Sequence, residues 1–490
     1  MSNRLAAVAP LPARKPRGAL LLSFACGLAM LLAPGLASAR EAPSSFAELA
    51  KRVAPAVVNI SSTQWIAPDS EEVQSLISRD STRRKAVRPA PKTRDDRAAR
   101  HVLSLGSGFI IDPSGLIVTN DHVIENAHSV KVTLADNTVL EGSIVGRDPR
   151  SDLALIRVKA GHPLPIVDWG NSDAAEVGDW LMVIGNPYGL GGSVSTGIVS
   201  ARGRNIDAGP YGDYIQTDAA INRGNSGGPV FNMAGQVIGI STVIFSPNGG
   251  SVGIGFATPA SLARPVIEAL KRDGRVVRGF IGVEIQEMSP DLAEAMGLRA
   301  PFGALVADVT EKSPAADARI RSGDVITRIN GTPIPDPRQL QRLVSSLPIG
   351  REAPITVLRD GREMTVSVRI VRMPEKLDPI DTGSADAPPV PHNASAVQGM
   401  TLVPTDAVKR EAVVKPKQSG VMVLDVEPDS PAANVGIDPG DVLVEIDKKP
   451  AVRVQEVASQ LKTAARNGRK VLVQVVDRDG TRHFLALAPH

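Results

Sequence analysis

The chain contains one segment twice. Ser313-Pro314-Ala315-Ala316, followed by Ile320, Gly323-Asp324-Val325-Ile326 and Ile329-Asn330, returns 117 residues later as Ser430-Pro431-Ala432-Ala433, Ile437, Gly440-Asp441-Val442-Leu443 and Ile446-Asp447. Self-similarity of this kind means one folded unit used twice, and it constrains the architecture more than any local propensity. Each copy continues into a helical stretch (Pro337 to Leu347; Val454 to Ala465) and a closing strand (Met364 to Val371; Val471 to Val476). Two like domains are expected, over 278–373 and 396–488. The stretch 374–395 between them holds Pro389, Pro391 and several Asp and Ser, which suits a polar linker.

The N-terminus carries Arg4, Arg14, Lys15 and Arg17, then the apolar run Ala19 to Ala33, Pro34 and the small-residue site Ala37-Ser38-Ala39. This pattern predicts a secretory signal peptide over 1–39. An uncleaved anchor is the competing reading, but the run falls short of the roughly 20 residues that span a bilayer. Without the signal the net charge moves from +3 to −1, which gives no case for nucleic-acid binding and at most peripheral membrane contact. The single cysteine, Cys26, lies inside the signal, so no disulfide is expected in the mature chain. A lipid attachment at Cys26 would need a leucine-like residue three places upstream, where Ser23 stands. No histidine forms an H-E-x-x-H pair, so neither a metal nor another cofactor is expected.

From Phe46 to about Lys271, short β-branched runs such as Val57-Val58-Asn59-Ile60, Val130 to Leu134 and Leu153 to Val158 alternate with turn signals. That spacing predicts an all-β sandwich or barrel over 40–272. It is interrupted by a basic stretch at 66–103: residues 79–100 carry nine Lys or Arg against three Asp, the composition of a surface loop or of a contact with an anionic partner.

Gly224-Asn225-Ser226-Gly227-Gly228 is the most informative segment for chemistry. Flanking glycines let a carbonyl approach a serine hydroxyl, while the backbone N–H groups of Gly224, Asn225 and Ser226 converge on a developing oxyanion. The segment also fits the nucleophile elbow G-x-S-x-G, but that arrangement needs a histidine downstream within its domain, and His392 falls in the linker while His483 and His490 come at the chain's end. Upstream, His122 follows the apolar run Leu116-Ile117-Val118 and Asp152 precedes Leu153-Ala154-Leu155-Ile156. The order His, Asp, Ser is that of trypsin-like enzymes: an imidazole takes the serine proton, and a half-buried carboxylate holds the productive tautomer. Asp148 is the rival for the third role, although Asp148-Pro149-Arg150 reads as turn chemistry.

Thr119-Asn120-Asp121-His122-Val123-Ile124, Ser151-Asp152-Leu153-Ala154-Leu155-Ile156, Gln216 to Pro229 and Gly253-Ile254-Gly255-Phe256-Ala257 together resemble the HtrA/Do (DegP-like) serine endoproteases. The repeats resemble their two C-terminal PDZ domains. The resemblance implies a mostly β chain: a trypsin-like double six-stranded antiparallel β-barrel with the triad in its cleft, followed by two PDZ domains. It further implies periplasmic location and unfolded or damaged protein substrates, cut after small or medium aliphatic residues. Ile221 and Ile244 match positions lining the S1 pocket. The loop Arg202 to Asp213 matches the activation sensor, with Arg204 at the sensor arginine although the loop is one residue shorter than in close relatives. Gly279-Phe280-Ile281-Gly282-Val283 matches the loop that receives the carboxylate of an apolar C-terminal peptide, which makes Phe280, Ile281, Gly282 and Val283 candidate ligands. In the second domain Gly399-Met400-Thr401-Leu402 is the expected equivalent, with Thr401 replacing the second glycine. A homotrimer or larger homo-oligomer is implied, with Phe46 a candidate packing residue. A second reading is a PDZ-bearing chaperone or scaffold on a weak or silent protease fold.

Overall fold

The computed structural model describes residues 43–66, 100–186, 192–204, 206, 212–246, 250–374, 395–405 and 420–489. The expected signal peptide with Cys26, most of the basic stretch and most of the linker lie outside them.

Twelve strands form two barrels. The first contains β1 (Val57–Ile66), β2 (Arg100–Asp112), β3 (Leu116–Thr119), β4 (Ala127–Thr133), β5 (Val139–Asp148) and β6 (Leu153–Arg157), closed in the order β1-β2-β3-β6-β5-β4. The second contains β7 (Trp180–Gly185), β8 (Ser193–Arg204), β9 (Tyr214–Thr217), β10 (Pro229–Phe231), β11 (Val237–Ile244) and β12 (Gly255–Pro259), closed as β10-β11-β12-β9-β8-β7. Closure leaves no strand edge exposed, and alternate side chains fill each interior. Ile60, Ile117, Ala154 and Ile156 belong to the first core, and Leu181, Val183, Val230 and Ala257 to the second. The β1–β2 ladder runs from Val57↔Phe109 to Ile66↔Arg100. Residues 66 and 100–103, expected in the basic loop, are therefore strand: once antiparallel partners are in register, successive backbone groups continue to satisfy one another.

A one-turn helix, α1 (Asp121–Ile124), follows β3, and α2 (Ala260–Asp273) follows β12. Ala263, Ile267 and Leu270 share one buried face of α2, at helical spacing, and the helix packs across β5, β6 and β11. Beyond it, Arg278 folds back onto the first barrel. Its Nη1 and Nη2 donate to both carboxylate oxygens of Asp148 at 2.7 and 2.6 Å, and both side chains are more than nine-tenths buried.

The first repeat unit contains β13 (Gly279–Phe280), β14 (Val283–Glu287), α3 (Pro290–Ala295), β15 (Ala304–Val309), α4 (Pro314–Asp317) and β16 (Val325–Ile329). It continues through β17 (Thr332–Pro333), α5 (Pro337–Ser346), β18 (Glu352–Arg359), β19 (Arg362–Arg369) and β20 (Val371–Arg372). The second contains β21 (Ser395–Val397), β22 (Met400–Pro404), β23 (Val421–Val426), α6 (Pro431–Asn434), β24 (Val442–Ile446), β25 (Lys449–Pro450), α7 (Val454–Arg466), β26 (Val471–Val476) and β27 (Arg482–Leu487).

The repeated Ser-Pro-Ala-Ala is a helix start in both copies. Ser313 and Ser430 accept at the side chain from the N–H of Ala316 and Ala433, with proline at the first helical position. Each serine also lies against a glycine with positive φ. A Cβ at Gly282 (φ 83°) would come within 2.2 Å of Ser313 Cβ, and one at Gly399 (φ 79°) within 2.1 Å of Ser430 Cβ. Gly399 is thus the counterpart of Gly282, and the counterpart of 279–283 is 396–400. Thr401 lies within β22 and is not asked to take a positive φ, which corrects the alignment expected from sequence.

The copies differ at one edge. In the first, β13 pairs with β20, and the sheet order β14-β15-β16-β18-β19 leaves one side of β14 open beside α5. In the second, β21 pairs with β22 from Ser395↔Leu402 to Val397↔Met400, and α7 packs on both strands. Gln398 (φ 54°) and Gly399 supply the two consecutive positive φ values that a tight two-residue hairpin requires.

The two units also pack together. Met288, Leu292, Leu305 and Val325 share a buried cluster with Leu472, Phe484 and Ala486. Gln286 donates to the Phe484 carbonyl (2.7 Å) and accepts from its N–H (2.8 Å), like one more rung on β27.

A buried aspartate separates the copies electrostatically. Asp324 is gripped by Arg359 through two 2.7 Å bonds to its two oxygens. At Asp441 the register position of Arg359 is taken by Asp477, and Arg478 turns to the Pro439 carbonyl. Burial, together with the charges of Asp438 and Asp477, raises the Asp441 pKa to about 6. A carboxyl whose folded pKa is raised favours the fold at low pH, and that contribution is lost as pH rises from about 4 through about 6. Asp441→Asn is therefore expected to stabilise the protein at pH 7.5, by roughly 2 kcal/mol, and to have little effect at pH 4. Denaturant unfolding at the two pH values checks this.

Candidate active site

His122 stands on α1 at the mouth of the fully buried strand β3. Asp152 approaches it from the turn before β6. In that turn the N–H of Ser151 bonds the Asp148 carbonyl and the N–H of Asp152 bonds the Pro149 carbonyl, both at 3.3 Å. Asp152 has φ 53°, a conformation that Asp tolerates better than most residues. Both of its carboxylate oxygens are committed to His122: Oδ1 accepts from the backbone N–H at 2.9 Å, and Oδ2 faces Nδ1 at 2.7 Å. Asn120 Nδ2 donates to the Asp152 carbonyl at 2.7 Å. Asp148, the rival carboxylate, is bound instead by Arg278 and the Ser151 hydroxyl.

Burial works against a charged His122, but the hydrogen bond and charge of Asp152, with the charges of Asp121 and Glu125, outweigh it, and the pKa rises from its ordinary value. Asp121 is itself paired with Arg147, at 2.6 and 3.0 Å.

Ser226 follows a turn closed by the N–H of Asn225 on the Asn222 carbonyl at 3.0 Å. The third residue of that turn, Gly224, has φ 97°, which a type II turn requires at this position. Of the three amides expected to face an oxyanion, that of Asn225 is consumed within the turn. Those of Gly224 and Ser226 have no acceptor among the described residues.

Ser107 on β2, which carried no sequence motif, pins this loop across the barrel boundary. Its N–H donates to the Ser226 carbonyl (2.8 Å) and its hydroxyl to the Gly224 carbonyl (2.6 Å), while the Asn186 N–H donates to that hydroxyl (2.8 Å). Thr119, next to the histidine segment, donates to the Ser107 carbonyl at 2.8 Å. Ser107 thus ties the serine loop to the histidine loop. Among the described residues no hydrogen bond joins Ser226 Oγ to His122.

Ile221 is buried in the second core beside Gly255, with Ile244 packed against the same cluster. Arg204 donates to Gln216 Oε1 at 3.1 Å; residues 205 and 207–211 of the same loop lie outside the described residues. The loop touches the first repeat unit through Asp213, whose Oδ2 is 3.4 Å from Arg342 Nη1 on α5. Phe280, Ile281, Gly282 and Val283 line a groove of about 170 Å³ with Leu340 and Val344 of α5.

Two closed β-barrels with a His-Asp pair on one and a glycine-flanked serine on the other define a chymotrypsin-like serine peptidase, here followed by two PDZ folds. Comparison with known families agrees: residues 106–240 match the trypsin-like peptidase domain, and 279–370 and 399–487 each match the PDZ domain. The chain is 42% identical over 410 residues to a probable periplasmic serine endoprotease DegP-like of Brucella suis, covering 83% of this chain and 77% of the relative. It is 39% identical over 458 residues to a protein of the same name in Pseudomonas putida, covering 92% and 94%. A solved HtrA-type protease, AlgW with decapeptide, matches with TM-score 0.57 and 36% identity over 68% of this chain and all of that one. The chain belongs to the DegP-like, HtrA-type serine endoproteases.

Two outcomes follow. A general base must be neutral, so kcat/KM is expected to rise with pH through a value above the 6.5 of an ordinary histidine; a pH–rate profile checks this, and an acid limb at or below 6.5 would contradict the raised pKa. Ser107→Ala, which removes the hydroxyl that binds the Gly224 carbonyl and the Asn186 N–H, is expected to lower kcat about tenfold or more, with a smaller change in KM.

Proposed function

We propose that this protein is an ATP-independent endopeptidase of the periplasm that degrades unfolded or damaged proteins, cutting after small or aliphatic residues. The observation that carries the reading is the pairing of both Asp152 oxygens with His122, at 2.9 and 2.7 Å. That pairing supports a neutral ring that carries its proton on Nδ1, toward the carboxylate, and accepts one at Nε2. Ser226 Oγ attacks the scissile carbonyl as His122 takes its proton, and the tetrahedral oxyanion is received by the N–H groups of Gly224 and Ser226. His122 then protonates the leaving amine, and water hydrolyses the acyl-enzyme by the same route. No step calls for a cofactor or metal.

Ile221 and Ile244 give the S1 pocket an apolar wall that leaves a basic P1 side chain without a counter-charge. The open edge of β14 beside α5 supports capture of an apolar C-terminal peptide as an added strand, its carboxylate at the loop Phe280 to Val283. In the second PDZ domain β21 occupies the corresponding edge, so peptide capture belongs to the first. Arg204 acts in the activation loop, through Gln216. The protein works as a homotrimer or larger assembly, and engages neither nucleic acid nor more than the membrane surface.

That no hydrogen bond joins Ser226 Oγ to His122 among the described residues keeps a second reading in play, a chaperone or scaffold with weak proteolysis. One assay separates the two: residues 40–490, and the same chain with Ser226→Ala, are incubated with casein without ATP or metal, and cleavage sites are mapped by mass spectrometry. Cleavage after valine or alanine by the wild type alone is expected. No cleavage, even with an apolar C-terminal peptide present, would leave the chaperone reading.

A further inference from the structure

The groove of the first PDZ domain is not walled by that domain alone. Arg150 lines it together with Gly279 to Val283, Ser345 and Met373, yet Arg150 belongs to the protease domain. It also lines a cavity of about 420 Å³ between the two domains, with Arg278, Arg342 and Leu347. Two neighbouring cations in that cavity wall are already engaged, Arg278 by Asp148 and Arg342 by Asp213. Arg150 has no ion-pair partner among the described residues.

Its position follows from the buried fork. Asp148 holds Arg278, the residue before Gly279, so the turn Asp148-Pro149-Arg150-Ser151 is drawn against the start of the loop that would meet a peptide's terminus. Arg150 and Ser345, near the C-terminal end of α5, both line the groove and the neighbouring cavity, which puts Arg150 toward the end of the groove where the two meet. A side chain here meets the last residue of a peptide added along β14. The chemistry that answers a guanidinium with no ion-pair partner among the described residues, beside a loop read as receiving a peptide terminus, is a carboxylate.

We propose that Arg150, supplied by the protease domain, completes the carboxylate site of the first PDZ domain, so that the ligand is an apolar peptide with an ionised C-terminus gripped by both domains at once. The inference rests on the reading of Phe280 to Val283 as a peptide-terminus loop. It adds that the terminal charge is received two residues from Asp152, within the same hydrogen-bonded turn. Arg150 is a specificity residue for the activating peptide; it acts on catalysis only through the position of that turn.

The test is peptide binding by the full protein carrying Ser226→Ala, which prevents cleavage, followed by fluorescence anisotropy. The probe is a labelled peptide with an apolar C-terminus, used as the free acid and as the carboxamide. Arg150→Ala is expected to weaken free-acid binding about tenfold, the scale of one partly exposed charge-assisted hydrogen bond. Arg150→Glu should weaken it further, Arg150→Lys should retain most of the affinity, and the amide should bind all four proteins alike. Lys and Glu have similar reach, so their contrast remains informative if the alanine variant folds poorly. If the wild type prefers the acid but Arg150→Ala and Arg150→Glu bind it equally well, the inference fails while the loop assignment stands. Equal losses for acid and amide would reduce Arg150 to groove packing and overturn it as well. A wild type that does not distinguish acid from amide would remove the loop reading and this inference together.

Discussion

Arg278 and Asp148 meet where three parts of the molecule converge: the first barrel, the entry to the first PDZ domain and the turn leading to Asp152. Both side chains are almost wholly withdrawn from water, and two parallel N–H···O bonds join them. Removing such charges from water is costly, and breaking the pair strands a buried ion at a cost of roughly 3–5 kcal/mol. The Ser151 hydroxyl binds the same carboxylate. Any displacement of Gly279 relative to the barrel must therefore strain the turn that carries Asp152 or break the fork. The second tie, Arg342 to Asp213, is longer and partly exposed, and contributes much less.

The catalytic apparatus shows the same economy of connection. Ser107 uses its N–H, hydroxyl and carbonyl to bind Ser226, Gly224 and Thr119, so one buried residue sets the spacing between the Ser226 loop and the His122 loop. The aspartate in turn spends both oxygens on one histidine. Among the described residues no hydrogen bond joins Ser226 Oγ to His122, and without substrate such contacts are commonly long and tighten only in the complex.

The two PDZ copies demonstrate how one scaffold takes two uses. Their helix caps, their positive-φ glycines and their buried aspartates correspond position for position. Gln398 lets the chain turn back as a hairpin, so β21 fills the edge that β14 leaves open. The second copy then spends its β27 face on the first through Phe484 and Gln286. One side of β14 stays open in the first copy, and the second copy packs against that domain.

Most of the fold and the His122–Asp152 pairing were legible in the chain because they rest on local or ordered patterns. The Ser-Pro-Ala-Ala repeat encodes a capped helix within four residues. Gly224 encodes the turn before Ser226, and the order His122, Asp152, Ser226 excludes the elbow arrangement without reference to contacts. The sequence also favoured Asp152 over Asp148, but only tertiary structure reveals why: Asp148 is taken by Arg278, 130 residues away. Ser107 and Arg150 carry no motif, since an ordinary strand serine and an ordinary turn arginine gain their surroundings from a group 117 residues distant in one case and from another domain in the other. Thr401 was misaligned for a related reason, since the counterpart of Gly282 is identified by its contact with a serine rather than by its neighbours in sequence. Capping, turn and strand signals act over a few residues and are written locally; which charges pair, which edge stays open and which domain lends a side chain to another are decided only when distant segments compete for the same buried partner.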